Sequence, residues 1–231
     1  MSLTFFFLLG LIFGSFANVL IWRLPKGLSI GGRSVCRKCK GKISWFDNIP
    51  LLSFFSLHGK CRNCKFAISL RYPLVELITG IIFLFVYLKF GYSFQALFFL
   101  ILSPILVSIF FIDLDHQIIP DELVFFGIII SLLYSFSFSR LFAGFLSSSL
   151  LLTLHLATKG KGMGLGDVKF AILGGMIVGL TNIFYWFYVA FLTGAIIGCI
   201  LILTKKYGLK SKIAFGPFLV FSLFLTVFLR L

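Results

Sequence analysis

The chain has 231 residues, 60% of them hydrophobic, with 32 Phe and few charges, 21 Lys or Arg against 7 Asp or Glu. Soluble domains carry about 25% charged residues and about 45–50% apolar ones, so a water-soluble fold is excluded and a bilayer must be the solvent. The net charge of +14 does not point to nucleic acid, because the basic residues stand in groups between apolar runs and form no single phosphate-binding stripe.

The apolar runs predict eight helices, at about 3–22, 74–92, 95–112, 123–138, 141–157, 168–182, 184–204 and 215–231. The fourth and sixth are short for a full span of about 20 residues, which leaves a seven-helix or re-entrant arrangement open. The fold class expected is an all-α polytopic membrane protein of about eight transmembrane helices with one small cytoplasmic insert. The parts are a first transmembrane helix (1–22), a four-cysteine insert (23–72) and a transmembrane bundle (73–231). If the insert is cytoplasmic, alternation puts 18 of the 21 basic residues on its side, and only Lys89, Arg140 and Arg230 lie opposite. That asymmetry is a positive-inside signal. The first run lacks a basic n-region and a small-residue cleavage site, so it is expected to remain as a span.

Within the insert, Cys36-Arg-Lys-Cys39 and Cys61-Arg-Asn-Cys64 form two C-x2-C pairs separated by 21 residues. This is zinc-ribbon spacing. Two such turns complete a closed tetrahedral site, so Cys36, Cys39, Cys61 and Cys64 are the expected ligands of a structural zinc. Two disulfides are the alternative, disfavoured in a reducing cytosol. Cys199, inside an apolar run, reads as a small buried hydrophobe.

The seven acids are Asp47, Glu76, Asp113, Asp115, Asp121, Glu122 and Asp167. On the expected topology each lies in a cytoplasmic loop or within about a turn of that membrane edge, where carboxylates are functional hypotheses by default. Two contexts stand out. In Phe111-Ile112-Asp113-Leu114-Asp115-His116 an apolar helix runs into carboxylates, and Pro120 then opens the next helix. In Gly162-Met163-Gly164-Leu165-Gly166-Asp167, glycines lead into a carboxylate at a helix start. Asp167 there is either an N-cap or half of a carboxylate pair with Asp113, in which one member holds a proton and the other does not. Asp121 and Glu122 read as first-turn residues that favour the helix N-terminus. Asp115 and His116 read as hydrated, and His155 as snorkelling toward the membrane edge near Lys159.

The sequence resembles the type IV prepilin peptidases, membrane aspartic proteases of the GxGD type. Four segments support it over nearly the whole chain: Gly14-Ser15-Phe16-Ala17-Asn18-Val19-Leu20-Ile21-Trp22-Arg23-Leu24-Pro25; the four cysteines followed by Arg71-Tyr72-Pro73-Leu74-Val75-Glu76; Asp113 through Pro120-Asp121; and Gly164-Leu165-Gly166-Asp167-Val168-Lys169. The resemblance implies a bacterial inner-membrane enzyme that removes the short basic leader from prepilins or pseudopilins at the cytoplasmic face, with Asp113 and Asp167 as catalytic residues. It implies N-methylation of the new N-terminus with S-adenosylmethionine as donor. Glu76 is either a donor-binding residue or a helix-start carboxylate, while Asn18 and Arg23 are structural first. The expected partners are prepilins and membrane lipid, not nucleic acid. The rival readings are a peptidase without methyl transfer, and a transporter or scaffold with intramembrane aspartates.

Overall fold

In the computed structural model, residues 2–204 and 213–230 are described. The basic group at 205–212, expected in a cytoplasmic loop, lies outside them. The described chain is helical: α1 (Ser2–Arg23), α2 (Leu52–Ser56), α3 (Arg71–Phe90), α4 (Phe94–His116), α5 (Asp121–Tyr134), α6 (Phe138–Ala157), α7 (Leu165–Val178), α8 (Ile183–Leu203) and α9 (Gly216–Arg230). Eight of these are the apolar helices expected from sequence, and α2 is a short extra helix in the insert. α1, α3, α4, α6 and α8 are long and apolar enough to cross a membrane. α5 and α7 have 14 residues and α9 has 15, about 21–23 Å of helix against a hydrocarbon core of about 30 Å. The protein is a multi-pass membrane protein built wholly from helices, because every backbone group in lipid must be satisfied internally.

The chain divides into two compact units, 1–108 and 109–231. In the first, α1 packs along α3. Lipid supplies no hydrophobic drive between helices, so close backbone approach through small residues takes its place. Gly10 and Gly14, four apart on α1, meet α3 at Gly80 and Glu76, where a Cβ on Gly14 would stand 2.7 Å from the Glu76 Cα. Phe6 stacks on Tyr87 farther along, with ring centroids 4.3 Å apart. The insert leaves α1 and returns to α3, so both of its ends are tied to this pair.

In the second unit α7 is the central helix. Ten of its 14 residues are buried, Asp167 among them, the pattern of a helix covered on all sides. Gly174 lets the Trp186 ring of α8 lie against it, and Gly175 lets α6 approach at Ala143, Gly144 and Ser147. Trp186 in turn donates its indole N–H to the Leu219 carbonyl of α9 at 2.9 Å. This bond fixes the start of α9, one turn from Gly216.

A Cβ on Gly175 would lie 2.5 Å from the Ala143 carbonyl oxygen and 2.4 Å from the Ser147 hydroxyl. Gly175→Val is therefore expected to destabilise the protein by at least about 1–3 kcal/mol, whereas Gly198→Ala, whose nearest neighbour would stand at 3.7 Å, should leave stability within about 0.5 kcal/mol of the parent. Thermal unfolding in detergent measures both.

Candidate active site and cysteine centre

Asp113 lies near the end of α4 and Asp167 in the first turn of α7, and both are buried, at 5% and 7% exposure. Each is met by a backbone amide. The Gly216 N–H, at the first residue of α9, donates to Asp113 Oδ2 at 2.9 Å. The Gly164 N–H donates to Asp167 Oδ2 at 3.1 Å. Both aspartates surround Ile119, which packs on Gly166, next to Asp167, and on Gly216, whose amide holds Asp113. The structure thus brings together the two aspartates that the sequence singled out, on different helices of one unit.

The local chain explains the approach. After α4, Gln117 takes a positive φ of 55° and its N–H returns to the Asp113 carbonyl at 2.9 Å. The turn sends Ile119 inward, where it packs on two glycines: a Cβ on Gly166 would sit 3.1 Å from Ile119 Cβ, and one on Gly216 would sit 3.1 Å from Ile119 Cδ1 and 2.6 Å from Asp113 Oδ2. The glycine of the G-x-G-D segment is thus a contact surface, and only a residue without a side chain fits at Gly216. Sequence reasoning missed Gly216. Its one local signal was Gly followed by Pro at the head of an apolar run, which marks a helix start.

Several expectations need correction. Helix α7 begins at Leu165, not 168, so Gly164 is the N-cap and Asp167 sits inside the first turn, its carboxylate reaching back to the cap amide. Glu76 is the sixth residue of α3 and lies in its second turn, not its first. His155 turns toward the loop that follows Lys159, where its Nδ1 is 2.7 Å from the Met163 carbonyl and braces the glycine loop before α7. Cys199 is exposed on α8, not buried. Asp121 and Glu122 do fall in the first turn of α5, and Asp121 pairs with Lys169 of α7 at 2.7 Å. Asp115 and His116 are exposed on α4.

The four cysteines of the insert converge, their sulfurs all within 4.8 Å of one another and Cys36 Sγ 3.8 Å from Cys64 Sγ. A tetrahedral four-thiolate centre with metal–sulfur bonds of about 2.3 Å has edges of about 3.8 Å, so these residues fit a metal ion. The two halves repeat one design. Cys36 donates its N–H to the Gly41 carbonyl and accepts from Lys40 N–H. Cys61 donates to the Phe66 carbonyl and accepts from Lys65 N–H. Lys40 and Lys65 are the matching left-handed residues, at φ 59° and 57°. Amides of Cys39 and Lys38 donate toward the Cys36 sulfur and lower its thiol to about 6. At Cys64 the Phe66 amide pulls the same way, but burial and the three neighbouring thiols outweigh it and raise that thiol to about 11. A thiol ready to ionise, packed against three further sulfurs, is a cluster that a cation would complete.

Beside this centre the first unit encloses a cavity of about 550 Å³, lined by α1, the insert and the start of α3. Arg37 stands over the rings of Trp22 and Tyr72, at 5.6 and 5.1 Å. Asn18 donates to the Tyr72 carbonyl at 3.0 Å. The buried Arg23 guanidinium gathers the carbonyls of Ser29, Ile30, Gly31 and Arg33, which holds the loop after α1 in a ring around it. Glu76 lines the cavity and accepts the Leu51 N–H at 2.9 Å. Cys36, Cys61 and Glu76 therefore line one chamber, and its size falls within the range of ligand pockets.

Replacing Cys36 or Cys61 by Ser removes one of four thiolates from this centre. Metal analysis of purified protein is expected to find close to one bound ion per chain in the parent and at most a few tenths in either variant, because each ligand contributes to a closed site.

Residues 8–90 match the family described as the bacterial peptidase A24 N-terminal domain, and residues 100–199 match the type IV leader peptidase family. Among curated proteins, a prepilin leader peptidase/N-methyltransferase of Pseudomonas aeruginosa is 35% identical over 248 residues, covering 92% of this chain and 85% of the relative. A protein of the same name from Neisseria gonorrhoeae is 33% identical, covering 93% of this chain and 86% of the relative. Another, from Myxococcus xanthus, is 44% identical over 133 residues, 57% of this chain and 40% of the relative. No solved structure matches the chain.

Proposed function

The chain belongs to the type IV leader peptidase family, and from that membership and the geometry of its two sites we propose that it is a membrane aspartic endopeptidase of prepilins or pseudopilins that also methylates the N-terminus it creates. The observation behind the peptidase reading is the pair of buried carboxylates, Asp113 and Asp167, each met by one backbone amide and both gathered around Ile119. Such a pair shares a proton. The ionised member takes a proton from water as the oxygen attacks the scissile carbonyl carbon, and the protonated member donates to the carbonyl oxygen. Collapse of the tetrahedral intermediate breaks the C–N bond, and the proton gained from water passes to the leaving amine.

Methyl transfer is assigned to the chamber of the first unit. S-adenosylmethionine supplies an electrophilic methyl group on a sulfonium. The chamber matches it with a carboxylate at Glu76 and with the Arg37 guanidinium, held over the rings of Trp22 and Tyr72, as a partner for the donor's own carboxylate. Zinc at Cys36, Cys39, Cys61 and Cys64 holds the insert in the shape that closes this chamber and takes no part in bond making. The enzyme resides in the bacterial inner membrane. The insert and the catalytic pair face the cytoplasm, where the basic residues gather, and the basic leader is presented there. The transporter reading is disfavoured because Asp113 and Asp167 sit at helix ends, not at unwound helices in mid-membrane.

Asp113→Asn and Asp167→Asn should each lower leader removal by roughly 10²–10⁴-fold or more without loss of folded protein, and Gly216→Ala should lower it by about 10-fold or more by displacing the Asp113 carboxylate. A gel-shift assay of a co-reconstituted prepilin reads these values; full cleavage by either Asn variant would refute the pair.

Glu76→Gln keeps an acceptor for Leu51 and removes the charge that faces the sulfonium. It is expected to raise KM for S-adenosylmethionine about 10-fold while cleavage by the second unit stays at the parent rate. Loss of cleavage along with methylation would place the defect in folding and overturn the role of Glu76.

A further inference from the structure

The insert presents apolar side chains that neither site uses. Trp45 is 81% exposed, Leu52 and Phe55 are each 69% exposed, and Leu70 is 75% exposed. On α2 the division is by face. Ser53, Phe54 and Leu57 line the chamber, and Leu52 and Phe55, three apart and so on one side of the helix, point away from it.

The depth of α2 is set by one bond. The Leu51 N–H reaches the Glu76 carboxylate, and Glu76, sixth in α3, lies about 7.5 Å along the axis from Arg71. α3 is apolar enough to span a membrane, so the head of α2 is drawn level with the second turn of a spanning helix. Leu51 adopts φ 58°, ψ −52° to reach it, a conformation that a leucine holds only when its surroundings impose it. The outward side chains of α2 are thereby held beside the second turn of α3.

Charge says what covers them. Residues 23–71 contain eleven Lys or Arg and one acid, Asp47, and that acid is already paired with Arg62 through three hydrogen bonds. A second copy of so basic an insert would be repelled, whereas exposed Trp, Leu and Phe on an uncharged-to-acidic stretch flanked by Lys42 and Lys60, inside an insert of net positive charge, suit an element that lies in the plane of an anionic interface.

We propose that α2 is an interfacial anchor, with Leu52, Phe55 and Trp45 seated at the boundary of headgroups and acyl chains and the insert's basic side chains on anionic lipid. The bilayer then forms the outer backing of the helix whose inner face walls the chamber.

The test uses the full chain in nanodiscs of phosphatidylcholine alone or with one quarter phosphatidylglycerol. The photoreactive residue p-benzoylphenylalanine replaces Leu52, Phe55 or, as a control on the opposite face at the same depth, Phe54. Mass spectrometry after irradiation should find lipid adducts at 52 and 55, at least fivefold above position 54, with a yield at least threefold higher when phosphatidylglycerol is present. Adducts at 52 and 55 no more frequent than at 54 would overturn the anchor. A crosslink to a second copy would overturn the lipid assignment, and equal yields in the two lipids would overturn its preference for anionic headgroups.

Discussion

A carboxylate buried at the end of a membrane helix persists only where backbone amides are aimed at it, and this requirement governs the second unit. Asp113 is met by the amide of Gly216, the residue where α9 begins and where backbone N–H groups are free because a helix start leaves them unpaired. For that amide to arrive, α9 must start at one place and no side chain can stand at position 216. The Trp186–Leu219 bond sets the first condition and the glycine meets the second. Asp167 solves the same problem within its own turn, by reaching back to the amide of Gly164. Two acids with separate backbone donors can sit near each other without a cation between them, which leaves a proton free to move from one to the other.

The first unit rests on a different constraint. Its chamber is assembled from segments that have little reason to meet on their own: the end of α1, a polar insert and the start of α3. Glycines on α1 bring the two helices together, Arg23 ties the outgoing loop into a ring of carbonyls, and Glu76 takes hold of the insert at Leu51. The cysteine cluster then fixes the ends of the insert relative to each other. The ties at Arg23 and Glu76 are polar groups satisfied by backbone, the form of anchoring available where water is scarce.

Much of this was legible in the chain. Apolar runs separated by basic groups marked the helices, and the two C-x2-C pairs marked the cluster, because paired thiols at that spacing can each supply two ligands to one tetrahedral centre. The aspartates were legible because charge at membrane depth is costly and therefore sparse. What escaped depends on distance in sequence or on local preference being overruled. Gly216 lies 103 residues from Asp113, and no pattern along the chain joins them. Leu165-Gly166 looked like loop, since glycine disfavours helix by about 1 kcal/mol, yet the contact with Ile119 requires a bare backbone there and the helix starts early. Cys199 was assigned by composition to the interior, and in a membrane protein an apolar setting lies on both sides of a helix, so composition alone does not say which way a small side chain faces.

The paired left-handed lysines, Lys40 and Lys65, bear on how such an insert can change over generations. Because each turn is completed by its own backbone bonds and its own reversed residue, the segment between the pairs is held at two ends and pinned in the middle at Asp47, by Arg62, and at Leu51, by Glu76. Between those points the side chains that face away from the chamber, such as Trp45, Leu52 and Phe55, are released from the task of keeping it in shape. Mutations there can alter the charge or greasiness of the outer surface, and so tune it to a different membrane, while the inner lining stays where the fold needs it.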